Sequence, residues 1–274
     1  MCCLGQSLAG NPTQYLLEKS FVAAELDGRF LTLEVSPEDL ANAILGIRAM
    51  GFRGASVALP FKHQIIELLD RCSEEAELIG AVNCISCAPD GHLVGENTEG
   101  KGFCRALATT FDVAGKNAVI LGAGLAGRAI AVQLALAGAG EITVVNRTAE
   151  RGQQLTDLLT EKMKVSAMFF PWMGDFELAP ETDLLINATN IGEGSAPQMV
   201  PVALESLLPS VVVADIVLGS PSTPFMRAVA ARGCAVIDGQ GMLVEQLAQC
   251  FQIWTGIDPD RGVMREALEE FLEL

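Results

Sequence analysis

Residues 118–151 read A-V-I-L-G-A-G-L-A-G-R-A-I-A-V-Q-L-A-L-A-G-A-G-E-I-T-V-V-N-R-T-A-E-R. The apolar run 118–121 has strand composition and leads into Gly122-Ala123-Gly124-Leu125-Ala126-Gly127, a G-x-G-x-x-G turn. An alanine-rich helix to about Leu136 follows, broken by Gly138 and Gly140, and a second strand over 142–145 ends at Asn146-Arg147-Thr148. Strand, glycine turn, helix and strand make a βαβ unit of the length that binds dinucleotides. Gly122 suits the tight turn, Gly124 leaves the backbone open to a pyrophosphate, and Gly127 lets helix and strand pack closely. The phosphates then meet the positive helix N-terminus. A glycine-rich turn that serves packing alone is the other reading of the same residues.

The end of the second strand selects the dinucleotide. NAD sites place an acid there for the ribose 2′-hydroxyl, and this chain has none. Asn146 and Thr148 offer hydrogen bonds to a phosphate, and Arg147 and Arg151 offer charge. A 2′-phosphate is paired by a guanidinium and repelled by a carboxylate. The expected cofactor is therefore NADP; a solvated strand end followed by a helix start is the alternative.

Working outward, residues 165–169, 183–186, 211–217 and 235–237 are further apolar strand segments, with helices expected between them. Such continuous apolar runs fit a parallel sheet covered on both faces. Upstream, helical spacing is seen over about 12–26, with strands over 30–35 and 54–59. Ser36-Pro37 reads as a helix N-cap and first turn, with Leu40, Ile44, Ile47 and Met50 as the apolar stripe. Short helices are expected over 63–69 and from Ser73, then a hairpin of 81–86 with 92–94, then a crossover helix to about Thr110. From Gly241 onward the chain is helical (242–253 and 263–271) with no strand to follow. The expectation is α/β: an N-terminal α/β substrate domain from 1–100 with 240–274, and a doubly wound Rossmann domain over 101–239, with a cleft between them.

Composition narrows the function classes. A net charge of −16 argues against nucleic acid and anionic membrane as partners. No apolar run is long enough to span a bilayer and no basic-then-apolar leader opens the chain, so a cytoplasmic protein is expected. The sequence leaves the oligomeric state open, an oligomer included. Cys84 and Cys87 form one C-x-x-C without a second pair, and only His63 and His92 are available beside them. No metal site is expected, and the eight cysteines read as reduced thiols.

Six motifs, in order and spacing, resemble the shikimate dehydrogenase family over nearly the whole chain. They are Val57-Ala58-Leu59-Pro60-Phe61-Lys62, Ala81-Val82-Asn83, Asn97-Thr98-Glu99-Gly100, the glycine turn with Asn146-Arg147-Thr148, the strand from Asp183 to Thr189, and Gly241-Met242-Leu243-Val244-Glu245-Gln246. The resemblance implies hydride transfer between NADPH and the ketone of a cyclohexene carboxylic acid, interconverting 3-dehydroshikimate and shikimate or a relative such as quinate. It also implies a place in aromatic amino acid biosynthesis. Lys62 matches the catalytic lysine, and Glu99 stands where the family has its paired aspartate. Asn83, Gln246 and, on the first loop, Asn11 match substrate-binding positions. Asn187 and Thr189, after a strand of the cofactor domain, are expected near the ribose or nicotinamide, and Met242 is a candidate nicotinamide contact whose other reading is gap-filling packing.

With four departures the chain resembles a divergent, shikimate dehydrogenase-like branch more than the biosynthetic enzyme. The family's S-x-S-P is Ala9-Gly10-Asn11-Pro12 here, its N-V-T is Ser56-Val57-Ala58, its aspartate is Glu99, and its tyrosine after D-x-V is Leu218. The chemistry suits the residue types. A lysine takes a proton when its environment favours the neutral amine and, as an ammonium, stabilises a developing alkoxide. An exposed helix-opening lysine for Lys62, a helix N-terminal acid for Glu99, backbone capping for Asn83, a solvated side chain for Gln246 and a polar turn for Asn187 and Thr189 are the structural alternatives. A reductase for a different small hydroxy acid, or a catalytically weak nucleotide-binding sensor, are the competing functions.

Overall fold

The computed structural model describes residues 1–194, 198–218 and 222–274. The chain divides into two compact units, Met1–Gly102 with Val244–Leu274 and Phe103–Leu243.

The first unit is built on a six-stranded mixed sheet. Its strands are β1 (Cys2–Gly5), β2 (Leu31–Glu34), β3 (Gly54–Val57), β4 (Arg71–Cys72), β5 (Cys84–Cys87) and β6 (Leu93–Glu96), in the order β2-β1-β3-β5-β6-β4. β1 runs parallel to β2 and β3; β5 is antiparallel to β3 and β6. Cys2, Leu4, Ala55, Val57 and Ile85 face a core completed by Leu40, Ile44 and Ile47 of α2 (Leu40–Ala49) and by Phe61 and Ile65. Helix α3 (Glu74–Ile79) starts where Ser73 accepts the Ala76 N–H and stops at Gly80, whose φ of 72° is open to glycine at little cost. Trp254 is buried on the far helix α8 (Gly239–Thr255), and its indole N–H donates to Ile85 O at 2.8 Å. Any side chain at Gly54 would collide with that indole. Trp254 and Phe251 are therefore core, stacked near Phe30 and Phe21, and Trp254→Ala would cost about 3–5 kcal/mol.

Two local expectations are corrected here, and one element is unexpected. Pro37–Asp39 is a 3-10 turn ahead of α2, and the Ser36 hydroxyl donates to Asp39 Oδ2 at 3.0 Å instead of capping backbone amides. The segment after Lys62 is a 3-10 turn (Gln64–Leu68), not an α-helix. The two-residue strand β4 pairs with β6 without any sequence signal.

The second unit is wound on an all-parallel sheet. Its strands are β7 (Asn117–Leu121), β8 (Glu141–Asn146), β9 (Ser166–Pro171), β10 (Leu184–Asn187), β11 (Val212–Asp215) and β12 (Ala235–Ile237), in the order β12-β11-β10-β7-β8-β9. Counted within the unit this is 3-2-1-4-5-6, the doubly wound order, with its switch point between β7 and β10. α5 (Leu125–Leu136) follows β7 and α6 (Ala149–Asp157) follows β8. The expected helices are missing at two places. Among the described residues, the β9–β10 and β10–β11 connections contain no α-helix; Pro171, Gly174 and Pro180 break the first. Trp172, Leu178, Val200 and Val202 from these loops pack against Val119, Leu121, Leu185 and Val213 and cover that face.

Candidate active site

The dinucleotide cradle is assembled at the C-terminal ends of β7, β8 and β10, where Leu121 is in register with both Val145 and Asn187. Gly122 has φ +107°, and a Cβ there would stand 2.8 Å from Thr189 Cγ2 and 2.9 Å from Ala188 O. A Cβ on Gly127 would strike the Gly122 carbonyl. Gly124 is different: it has an ordinary φ of −77°, is exposed, and a Cβ would meet no protein atom within 4 Å. Among the described residues nothing requires glycine at Gly124, whereas a phosphate lying on the backbone at the N-terminus of α5 would. Ala123, Leu125 and Ala126 complete the turn, and the Ala123 N–H donates to Asn146 Oδ1 at 3.0 Å.

That last bond shows Asn146 as a brace. Its Nδ2 donates to the Thr148 carbonyl at 2.8 Å, so its side chain ties the glycine turn to the end of β8. Beyond it, Arg147, Thr148 and Arg151 are exposed. Thr148 opens α6 without using its hydroxyl to cap the helix. Neither arginine forms an ion pair with a described residue. Two uncompensated guanidiniums and a free hydroxyl on a chain of net charge −16 fit a phosphate outside the pyrophosphate turn. The residues present therefore fit a 2′-phosphorylated dinucleotide. On the β10 side, Asn187 is fully buried and Thr189 half-buried, and the two are bonded to each other at 2.6 Å. Met242, near the start of α8, is buried.

In the first unit, Lys62 follows β3 and Glu99 opens α4 (Glu99–Ala108). Their Nζ and Oε1 are 2.5 Å apart, with the side chains 16% and 8% exposed. Backbone bonds set both ends. The Lys62 carbonyl accepts the Val82 N–H at 2.7 Å, and the Glu99 N–H donates to Asn97 Oδ1 at 3.1 Å. Asn97 is itself tied to Ala81 O at 3.1 Å. Glu99 Oε2 is buried and has no hydrogen-bond partner among the described residues, and the same holds for Ser56 Oγ on β3. An ammonium held by one carboxylate oxygen, with the second oxygen spare, can hold and pass a proton at a substrate oxygen.

Asn83 lies in the same cluster through Thr98: its Nδ2 donates to Thr98 Oγ1 at 2.9 Å, and its Oδ1 accepts the Thr98 N–H at 2.7 Å. One amide hydrogen is left for a ligand. Asn11 is engaged elsewhere. Its Oδ1 accepts the Thr13 N–H at 2.9 Å at the start of α1 (Thr13–Ala23), and no bond links it to the lysine–glutamate pair. The Gln246 amide, half-buried on α8, has no partner among the described residues. Thr98 and Asp215 escaped the sequence reading as site residues. Both stand inside recognised motifs, and that was the only available signal. The C-x-x-C carries no joint site, because residues three apart on a strand face opposite ways.

Three family models match consecutive parts of the chain: "Shikimate dehydrogenase substrate binding domain" over 5–85, "Shikimate / quinate 5-dehydrogenase" over 105–222 and "Shikimate 5'-dehydrogenase C-terminal domain" over 239–269. Shikimate dehydrogenase (NADP(+)) of Rubrobacter xylanophilus is 38% identical, over 95% of this chain and 94% of the relative. Among solved structures, ligand-free 5-ketofructose reductase of Gluconobacter sp. strain CHM43 superposes with a TM-score of 0.95 at 42% identity, covering 98% of this chain and 97% of that one. Shikimate 5-dehydrogenase of Thermus thermophilus, in complex with NADP(H) and shikimate, gives 0.86 at 33% identity, covering 98% of each chain.

Proposed function

The chain belongs to the shikimate dehydrogenase family, and on that premise we propose that it is an NADP-dependent oxidoreductase interconverting 3-dehydroshikimate and shikimate, or a closely related cyclic hydroxy acid such as quinate. The pairing of Lys62 with Glu99 at 2.5 Å carries this reading. NADP, when bound, supplies the hydride acceptor. In the direction of alcohol oxidation the substrate hydroxyl loses its proton to the Lys62–Glu99 pair as the hydride leaves carbon. In reduction the Lys62 ammonium returns that proton to the carbonyl oxygen. Its positive charge stabilises the oxygen as electron density builds there, and Glu99 keeps the ammonium aimed. Asn83 and Gln246 are assigned to substrate hydroxyls through their spare amide hydrogens. The unit Met1–Gly102 with Val244–Leu274 is assigned to the substrate. Phe103–Leu243 is assigned to NADP, held by the glycine turn, Arg147, Thr148 and Arg151. Eight free thiols support a cytoplasmic setting. Among the described residues, no helix is long and apolar enough to cross a membrane.

A second reading keeps the chemistry and changes the substrate to a small polyhydroxy ketone. It is favoured by the loop Ala9-Gly10-Asn11-Pro12, where one hydroxyl position is an alanine and the other an asparagine whose oxygen caps α1. The 42% identity to the Gluconobacter 5-ketofructose reductase points the same way. NADPH oxidation measured against 3-dehydroshikimate, 3-dehydroquinate and 5-ketofructose separates the two. Turnover on either cyclic acid supports the first reading. Turnover confined to the ketose replaces it with the second, and NADPH binding without turnover on any of the three sinks both.

A further inference from the structure

A saturated polar network lies behind the β10 side of the cradle, anchored on a carboxylate that none of the cofactor assignments uses. Asp215, the last residue of β11, is 1% exposed and accepts three hydrogen bonds. Asn187 Nδ2 reaches Oδ1 at 2.8 Å, the Val217 N–H reaches the same oxygen at 3.2 Å, and Thr223 Oγ1 reaches Oδ2 at 2.7 Å. Thr223 is also the N-cap of α7 (Pro224–Ala231), accepting the Met226 N–H at 3.1 Å. On the other side, Asn187 Nδ2 also donates to Ile191 O at 3.1 Å, and its Oδ1 accepts both the N–H and the hydroxyl of Thr189. The Ile191 N–H returns to Thr189 Oγ1 at 3.0 Å.

The result is a turn, 187–191, whose side-chain amide and hydroxyl are committed to its own shape and, through Asn187 Nδ2, to Asp215. That turn packs against Gly122, whose φ of +107° already disfavours any side chain: Ala188 and Thr189 carry the atoms that a Gly122 side chain would strike. Carboxylate burial is unfavourable, and burial does push the Asp215 carboxyl upward, opposed by its bonds from Thr223, Val217 and Asn187. An apolar residue would fill such a place at lower cost. A carboxylate with three donors fixes one conformation that an apolar residue would leave free.

We propose that Asp215 is a positioning residue for the dinucleotide, holding the 187–191 turn against Gly122 so that the β10 side of the cradle is preformed for the nicotinamide half. The inference rests on the NADP reading. The sheet order separates the two halves, since Arg147 and Thr148 follow β8 on one side of β7 and Asn187 ends β10 on the other. A ligand that ends at the 2′-phosphoadenosine group reaches only the β8 side.

Dissociation constants for NADP⁺ and for adenosine 2′,5′-bisphosphate, read by calorimetric titration, test this. For Asp215→Asn the NADP⁺ constant is expected to rise fivefold or more, while that of the bisphosphate stays within twofold. Thr223→Val is expected to act in the same direction, and Thr223→Ser, which keeps the hydroxyl, to restore wild-type NADP⁺ affinity. Unchanged NADP⁺ affinity in both weakening variants, or equal losses for both ligands, overturns the proposal. If Asp215→Asn does not fold, the comparison of Thr223→Val with Thr223→Ser decides on the same readout. A wild-type protein that binds neither ligand overturns the dinucleotide site and this inference with it, whereas wild-type binding with unaltered variants overturns the inference alone.

Discussion

Lys62 Nζ and Glu99 Oε1 are in direct contact at 2.5 Å, 37 residues apart in the chain, and both side chains are largely withdrawn from solvent. Among the described residues, Glu99 keeps one buried oxygen unpartnered. Removing the cation leaves a buried charge alone, which is far more unfavourable than removing both partners.

Lys62→Met is therefore expected to abolish most turnover while leaving the NADP⁺ dissociation constant within about twofold, since the lysine belongs to the other unit's chemistry. Stability should fall by about 3 kcal/mol, the lower end for one broken buried ion pair. The double variant Lys62→Met with Glu99→Gln should regain part of that loss in urea melts and none of the activity. Wild-type turnover in Lys62→Met would remove the catalytic assignment.

Glu99→Asp tests whether the site is adapted to the longer acid. The carboxylate already reaches Nζ, so the backbone from Asn97 to Glu99 is set for glutamate. Aspartate withdraws the carboxylate by about 1.5 Å, one C–C bond. A displacement near 1 Å can cost on the order of 10²-fold in rate. Lower kcat with little change in KM is the expected outcome; a rise in kcat on shikimate would show a pair misplaced for that substrate.

Arg147→Ala should weaken NADP⁺ by about 1.5–3 kcal/mol, the range for a hydrogen bond to a charged group, and leave NAD⁺ affinity unchanged. The guanidinium pairs with no acid among the described residues, so the effect reports the phosphate. Equal losses for the two cofactors would show that Arg147 acts on something they share.

What the sequence disclosed was local. The glycine turn, the strand after it and the missing acid at Arg147 lie within one βαβ unit, so their spacing alone placed them. Ser36 misled because a hydroxyl beside Asp39 has a second acceptor in reach, and a 3-10 turn resulted. The residue type at Asn146 points to a phosphate, and its bonds to Ala123 and Thr148, made by tertiary pairing, also tie the turn together. Thr98 behind Asn83 and Thr223 behind Asp215 are contacts made by tertiary pairing across strand ends. No periodicity encodes such pairs, and the helix-free connection after β9 depends on Trp172 and Leu178 finding a sheet face to cover.

The thiols give a pH test. Burial pushes Cys2 and Cys104 up to about 12. Thiolate is the reactive species, so neither should label with a disulfide reagent at pH 8 in the native protein, and both should label in denaturant. A thiol whose folded pKa is raised contributes stability that is fully present below its unfolded pKa near 9 and is lost as pH rises through the folded value. Stability in urea should thus decline between about pH 9 and 12, and Cys104→Ala should flatten that decline. A native Cys104 that labels at pH 8 at the rate of a free thiol would contradict its burial.

The loop Ala9-Gly10-Asn11-Pro12 decides between the two substrate readings. Asn11 Oδ1 caps the Thr13 N–H, and serine is as good an N-terminal acceptor as asparagine, so Asn11→Ser should leave stability nearly unchanged. Ala9 is exposed and has no structural role that a hydroxyl would disturb. The double variant Ala9→Ser with Asn11→Ser therefore changes the loop's hydroxyl content and little else. If the loop lines the substrate, each added hydroxyl should contribute roughly 0.5–1.5 kcal/mol toward a cyclic acid, seen as a lower KM for shikimate at unchanged kcat. A site built around particular hydroxyls rejects analogues that lack them, because its own polar groups are then left unpaired. If the natural substrate is a polyhydroxy ketone, the same variant should raise KM for that ketone while lowering it for shikimate. Parallel shifts in both constants, or none in either, would mean that this loop does not choose the substrate.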